Sequence, residues 1–311
     1  MENGNEKRAL FRVRTCATSA NMGPGFDAAA LALDIYDECE VFAGTGRDHI
    51  IRHRGPYSSH IDSKKSLVIY ALKEAGKKYA GRVAHAGKSS LDIYMTVNIP
   101  PGKGLGSSAS AVISGLLIAN KAYRLGLNKK ELFQAASEIE SSPDNAAAAL
   151  SGGMAVIYRD GGQYLFEKIG LEKGYRIMLF IPFGTASTEE ARKLIPKKVP
   201  IQDAVGNISN FSLFLKCLEE GRLEEASVFC QDYMYLKYRK AMYPTSLGLV
   251  NELVETYKVP AFVSGAGPAV AAIMDKETFA GFKDIKGRVM AQYLSFQSMV
   301  TGISSGGSYY L

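Results

Sequence analysis

The chain has 311 residues, 47% of them hydrophobic and 22% charged, with a net charge of +6; this is long for one core and points to two domains in a globular protein. It has no run of eighteen apolar residues and its opening MENGNEKRALFR is polar and charged, which argues against a membrane span and a secretory leader. Cys16, Cys39, Cys217 and Cys230 lack metal-ligand or redox spacing, as reduced thiols of a cytoplasmic protein would, and the lysines come as scattered pairs without interleaved aromatics, a pattern of solvated surface rather than of nucleic-acid binding.

Residues 10 to 15, LFRVRT, alternate and predict a first strand. It runs into the turn ATSANMGPGFD at 17 to 27, where Asn21 and Asp27 would ordinarily brace the turn through side chain to backbone bonds. A second strand is expected over 35 to 43, a helix over 66 to 78 with Ser66 as its N-cap, and a strand over 91 to 97. Then comes PPGKGLGSSAS at 100 to 110, followed by the apolar helical run 109 to 125. Strand, glycine loop and helix in that order suit a phosphate: Gly102, Gly104 and Gly106 allow close backbone approach, and the helix N-terminus near Ser107 favours an anion. Ser107, Ser108 and Ser110 add hydroxyls for phosphate oxygens or Mg²⁺. The loop has neither the Walker order nor the dinucleotide spacing, and a serine-capped glycine turn explains these residues equally well when taken alone.

Asn128 and Glu131 form a capping box for a helix over 129 to 141, which ends in Glu138-Ile139-Glu140-Ser141-Ser142-Pro143-Asp144-Asn145. Ser142 before Pro143 reads as an N-cap with proline at the first helical position. Gly152-Gly153 stops that helix, and a hairpin turns around Asp160-Gly161-Gly162. The domain boundary is placed after it, giving 1–168 and 169–311. An apolar strand at 177 to 182, Thr188-Glu189-Glu190-Ala191-Arg192, helices at 207 to 219 and 222 to 236, Tyr238-Arg239, and the glycine turn of AFVSGAGPAVAAIM at 261 to 274 follow. A helix and a terminal strand or two complete the chain.

The string from Pro100 or Pro101 through Gly104-Leu105-Gly106-Ser107-Ser108-Ala109 resembles the phosphate loop of the GHMP kinase superfamily, and residues 261 to 274 resemble its third motif. Thr18-Ser19-Ala20-Asn21-Met22-Gly23-Pro24-Gly25-Phe26-Asp27 resembles the first motif of homoserine kinases, with Met22 for the usual Leu. The resemblance spans Arg12 to about Met274. It implies an α+β fold with an N-terminal domain like domain 2 of ribosomal protein S5 and a ferredoxin-like C-terminal domain, the site lying between them. It implies ATP-dependent phosphorylation of the side-chain hydroxyl of L-homoserine, a step of threonine biosynthesis, with ATP and Mg²⁺ as cofactors; a homodimer is an open alternative to a monomer. Residue by residue, it implies ATP contacts from Ser66 and from Pro101, Gly102, Lys103, Gly104, Leu105, Gly106, Ser107, Ser108 and Ala109, and metal contacts from Ser107 and Glu140, with Glu138 as the alternative. Asn21 and Asp27 would take the acceptor's ammonium, and Arg192 and Arg239 its carboxylate. Thr188 would lie near the transferred phosphate, and Asn145 would orient the hydroxyl, with Asp144 as the alternative. Ser141 and Ser142 stand where the family has Gly and His, which leaves a kinase for another small hydroxy acid or hydroxy amino acid, or a degenerate nucleotide-binding regulator, as rival readings.

Overall fold

The computed structural model describes residues 8–82, 90–140, 142–171, 174–184 and 188–311. The first half of the chain supplies β1 (Phe11–Ala20), β2 (Ala29–Ala43), β3 (Ile50–Arg54), α1 (Leu67–Lys78), β4 (Leu91–Thr96), α2 (Ser107–Ala122), α3 (Lys129–Ile139), α4 (Pro143–Ser151), β5 (Met154–Asp160) and β6 (Gln163–Ile169). The second supplies β7 (Arg176–Pro182), α5 (Thr188–Lys193), α6 (Ile201–Glu220), α7 (Leu223–Phe229), α8 (Leu236–Arg239) and α9 (Pro244–Asn251). It closes with β8 (Ala261–Val263), β9 (Val270–Met274), α10 (Lys276–Gln292), β10 (Phe296–Gly302) and β11 (Tyr309–Tyr310).

Among the described residues two sheets form, one ordered β11-β1-β2-β4-β3 with β5 on β2 and β6 on β5, the other ordered β10-β7-β9-β8. The alternation along β2 explains how they are joined. Ala30 and Ala32 face the core shared with Val112, Leu116 and the small side chains Ala146 to Ala149 of α4. Leu31 and Leu33, between them, face a second core with Ile177, Leu179 and Ile181 of β7 and Phe214 of α6. A strand buried on both faces reads as a continuous apolar run, small residues toward the close helix and large ones toward the other sheet; each large side chain so buried contributes about 1.5–3 kcal/mol. Met178 and Phe180 of β7 point the other way, into a third core with Leu249, Phe282 and Val289.

Most expected elements appear within a few residues of their predicted bounds, and the capping box of Asn128 and Glu131 is present. Four differences have physical causes. β1 does not end at residue 15; after a register shift between Cys16 and Ala17 its ladder with β2 continues to Ala20, so the predicted turn begins only at Asn21. The helix expected to reach residue 236 stops at Phe229, because the Asp232 carboxylate accepts from the amides of Tyr235 and Leu236 and starts α8 anew. Ser142 is at the N-cap position of α4 but makes no capping bond. The tail beyond β10 returns to the first sheet, where Tyr309 and Tyr310 pair with Arg14 and Val13, so the last strand lies with the first half of the chain.

Candidate active site

Three turns distant in sequence meet at one end of β1. Gly104 and Gly106 both have positive φ, 78° and 69°. A Cβ at Gly104 would stand 2.1 Å from the Ser264 carbonyl oxygen, and one at Gly106 would stand 1.9 Å from Thr18 Oγ1, so the loop is glycine-rich because its neighbours leave no room. Ser264 donates to the Gly104 carbonyl at 2.7 Å, and its hydroxyl lies 2.8 Å from that of Ser19. The Thr18 amide donates to Leu105 O at 3.1 Å and the Gly265 amide to Ala20 O at 3.0 Å. Gly106 then caps α2, whose first intrahelical bond runs from Ser110 N–H to Gly106 O. The amides of Ser107, Ser108 and Ala109 precede that bond, and these residues line a cleft of about 180 Å³ together with Gly102, Gly104, Leu105 and Gly106.

The same cleft is lined by Asn21, Asp27, Glu140, Ser142, Asp144, Asn145, Arg192 and Arg239. Arg192 grips Asp27 with both guanidinium nitrogens, 3.0 Å each, and donates at 3.1 Å to Ser142 Oγ. Burial opposes the charge of Arg192, and Asp27, with Asp144 and Glu140 beyond it, outweighs that and raises its pKa. Arg239 is buried, donates from Nε to Ala191 O at 2.9 Å and lies against the Tyr235 and Phe26 rings, which are themselves stacked. Asp144 is 1% exposed; burial first and the Asp27 charge second lift its carboxyl to about 7, against the pull of the Asn145 amide and Arg192. Asn145 accepts from Thr18 Oγ1 at 2.6 Å.

Several residues expected at the site have other geometry. The side chain of Lys103 turns away from the cleft: its Nζ donates to the Pro182, Phe183 and Gly184 carbonyls at 2.7, 2.8 and 2.5 Å, which matches the three donors of an ammonium, while burial lowers its pKa. The side chain expected among the ATP contacts is thus engaged with the end of β7. Asn21 does brace its turn, accepting from Asp27 N–H and donating to Gly265 O at 2.8 Å, although it also lines the cleft. Asp27 and Arg192, expected to take opposite ends of an acceptor, hold each other. Glu138 is in an exposed ion pair with Lys78, away from the cleft that Glu140 lines. Ser66 caps α1 through Ile69 N–H and lines an adjoining pocket of about 280 Å³ with Pro101, Gly102, Ser107, Ser108, His53 and His60. Thr188 heads α5, but its side chain, like Ser141, lies outside the described residues.

Sequence reasoning missed Thr18 and Ser264, which join the three turns, although both stand inside strings it singled out. It also missed Asp37, a fully buried acid in β2; an aspartate amid strand-forming residues was the available signal. Among the described residues no group of three or more His, Cys, Asp or Glu side chains is placed to hold a metal ion. Mg²⁺ is commonly held by one or two protein oxygens with the substrate's phosphates, and the Glu140 carboxylate and Ser107 hydroxyl on one cleft fit that chemistry.

A left-handed glycine loop opening onto a helix, faced by acids and arginines from both halves of the chain, is the framework of a small-molecule kinase, and the family described as GHMP kinases N terminal domain matches residues 66–153. The backbone agrees: the crystal structure of homoserine kinase from Cytophaga hutchinsonii superposes with a TM-score of 0.82 at 20% identity over 97% of both chains. L. major mevalonate kinase, solved with R-mevalonate, gives 0.74 at 16% identity over 97% of this chain and 98% of that one. Together with that family match, these two likenesses show the GHMP kinase fold. In sequence, the homoserine kinase of Clostridium beijerinckii is 33% identical over 268 residues, 86% of this chain and 87% of that protein. That of Thermotoga petrophila is 34% identical over 276 residues, 88% and 95%. The chain belongs to the homoserine kinase family.

Proposed function

We propose that this protein transfers the γ-phosphoryl group of ATP to the side-chain hydroxyl of L-homoserine, giving O-phospho-L-homoserine and ADP. The observation that carries the acceptor assignment is the Asp27–Arg192 pair beside the helix amides: the two charges, opened toward a ligand, are the complement of an α-amino acid's ammonium and carboxylate. A zwitterion replaces the pair without leaving either charge unmatched. Arg239, fixed by Ala191 O and the aromatic stack, is the second carboxylate ligand, and Asn21 supports the ammonium end.

The triphosphate would lie along Gly102 to Ala109, with the base in the adjoining pocket beside Ser66 and Pro101. Mg²⁺ bound at Glu140 and Ser107 would offset the phosphate charge. Asn145 and Asp144 start α4 at the cleft. The acceptor oxygen bonds to the γ-phosphorus as the bond between that phosphorus and the β–γ bridging oxygen breaks, and the hydroxyl proton passes to Asp144, whose environment lifts its basicity toward neutral pH. Asn145 orients the hydroxyl. The chain is read as two domains, 1–168 and 169–311, with β11 returned to the first. Incubation with ATP, Mg²⁺ and L-homoserine, followed by ³¹P NMR, should show a phosphomonoester growing in step with ADP. Inorganic phosphate in place of the ester would overturn the assignment.

A second reading, a kinase for another hydroxy amino acid, is favoured by Ser142 alone. Its hydroxyl fills the position beside Arg192 with less volume than an imidazole.

A further inference from the structure

Asp37 is a chemical anomaly in the fold. It lies in β2, it is 0% exposed, and among the described residues no cation is among the groups that act on it. Buried acids are rare without partners, and aspartate is poorly suited to a strand interior. Its carboxylate nevertheless has two bonds: Oδ1 accepts the amides of Asn98 at 2.8 Å and Ile99 at 2.9 Å. Among the described residues Oδ2 is buried without a hydrogen-bond partner. The ladder between β2 and β4 runs from Ala43 to Glu38, opposite Leu91 to Thr96, and stops one residue before Asp37. The chain leaving β4 thus gives up the sheet as a partner at the very point where the aspartate side chain takes over its amides. Asn98 adds a bond from its own Nδ2 to Tyr36 O at 2.8 Å. Two residues later the phosphate loop begins.

The other shoulder of that loop is tied to the same region. Thr15 Oγ1 lies 2.7 Å from Ser110 Oγ and 2.8 Å from Ser114 Oγ, both in α2, and the Ser110 hydroxyl favours the ionised form of Asp37. A valine at position 37 would fill a strand site without desolvating a charge, but it would leave the Asn98 and Ile99 amides unpaired and the exit from β4 undefined.

We propose that Asp37 is a positioning residue for nucleotide binding: by holding the Asn98 and Ile99 amides it sets where the loop from Pro100 to Gly106 starts, and so where the loop amides stand. It touches no substrate. The proposal rests on reading that loop as the nucleotide site and adds a residue about which the loop sequence says nothing.

The test is titration of the full-length protein with a fluorescent methylanthraniloyl derivative of ATP, together with the acceptor KM. Wild type that fails to bind the nucleotide defeats the reading of the loop itself. With wild type binding, Asp37→Ala should weaken nucleotide affinity about tenfold while the acceptor KM stays within about twofold, the split expected when only one ligand's site is displaced. Asp37→Asn, which keeps an acceptor oxygen for both amides, should restore affinity to within about twofold and raise Tm by removing a buried charge. Should Asp37→Ala fail to fold, Asp37→Thr suits a strand, is too short to take both amides, and has the same expectation. Unchanged nucleotide affinity in the short variants, or equal losses in these and Asp37→Asn, overturns the proposal.

Discussion

At the scale of single residues the site is arranged around two carboxylates in unlike surroundings. Asp27 is partly exposed and paired to Arg192, whereas Asp144 is buried and titrates at about 7. The sign of the linkage follows directly. In the folded chain Asp144 keeps a proton up to about 7, and its ordinary value is 3.8. Between those values the folded state binds more protons than the unfolded one, so stability falls as pH rises through that window. Asp144→Asn should therefore raise Tm at pH 8 more than at pH 5, while lowering kcat by about a hundredfold if the carboxylate accepts the proton. Melting curves and initial rates at the two pH values check both halves, and an equal Tm change at pH 5 and 8 would contradict the buried charge. Asn21, Asp27, Asp144, Asn145, Arg192 and Arg239 were all legible as candidates in the sequence, and one cleft gathers them. That Asp27 and Arg192 hold each other was not, because they stand 165 positions apart and no local pattern encodes their contact. The side-chain contacts of Lys103 were not legible for the same reason: its partners at 182 to 184 belong to another element.

At the scale of elements, the loop and α2 form one device. Their order could be read from the sequence because glycine, serine and an apolar run have short-range signatures. The tightness of the loop could not, since it comes from Thr18 and the Ser264 carbonyl. Gly106→Ala must place a methyl on Thr18 Oγ1 at a φ of 69°, and both the clash and the left-handed backbone displace the start of α2. ATP KM should rise tenfold or more, with a loss of stability of about 1–3 kcal/mol. Gly126, in the same φ range with open space around its Cβ, is the control: Gly126→Ala should leave ATP KM unchanged. Equal effects at the two positions would mean that the contact with Thr18 is irrelevant.

At the scale of the whole molecule, the site is split between halves that share a core through Leu31, Leu33, Leu179 and Phe214. The glycine loop belongs to the first half and Arg192 and Arg239 to the second. Lys103 is a direct tie between them, a loop residue bound to carbonyls at the end of β7. Lys103→Met should lower stability by about 1–2 kcal/mol, less than a buried charged bond because the group is partly exposed. It should also raise both ATP and acceptor KM severalfold, since the halves lose registration; an effect on ATP alone would return Lys103 to the nucleotide. The central claim, that the cleft recognises a zwitterionic amino acid, is tested most directly by the ratio of kcat/KM for L-homoserine to that for 4-hydroxybutyrate, which has the same chain and hydroxyl without the ammonium. In wild type the ratio should exceed about a hundredfold, and Asp27→Asn should shrink it at least tenfold, or about 1.4 kcal/mol. A ratio near one in wild type, or one that Asp27→Asn leaves unchanged, would contradict it.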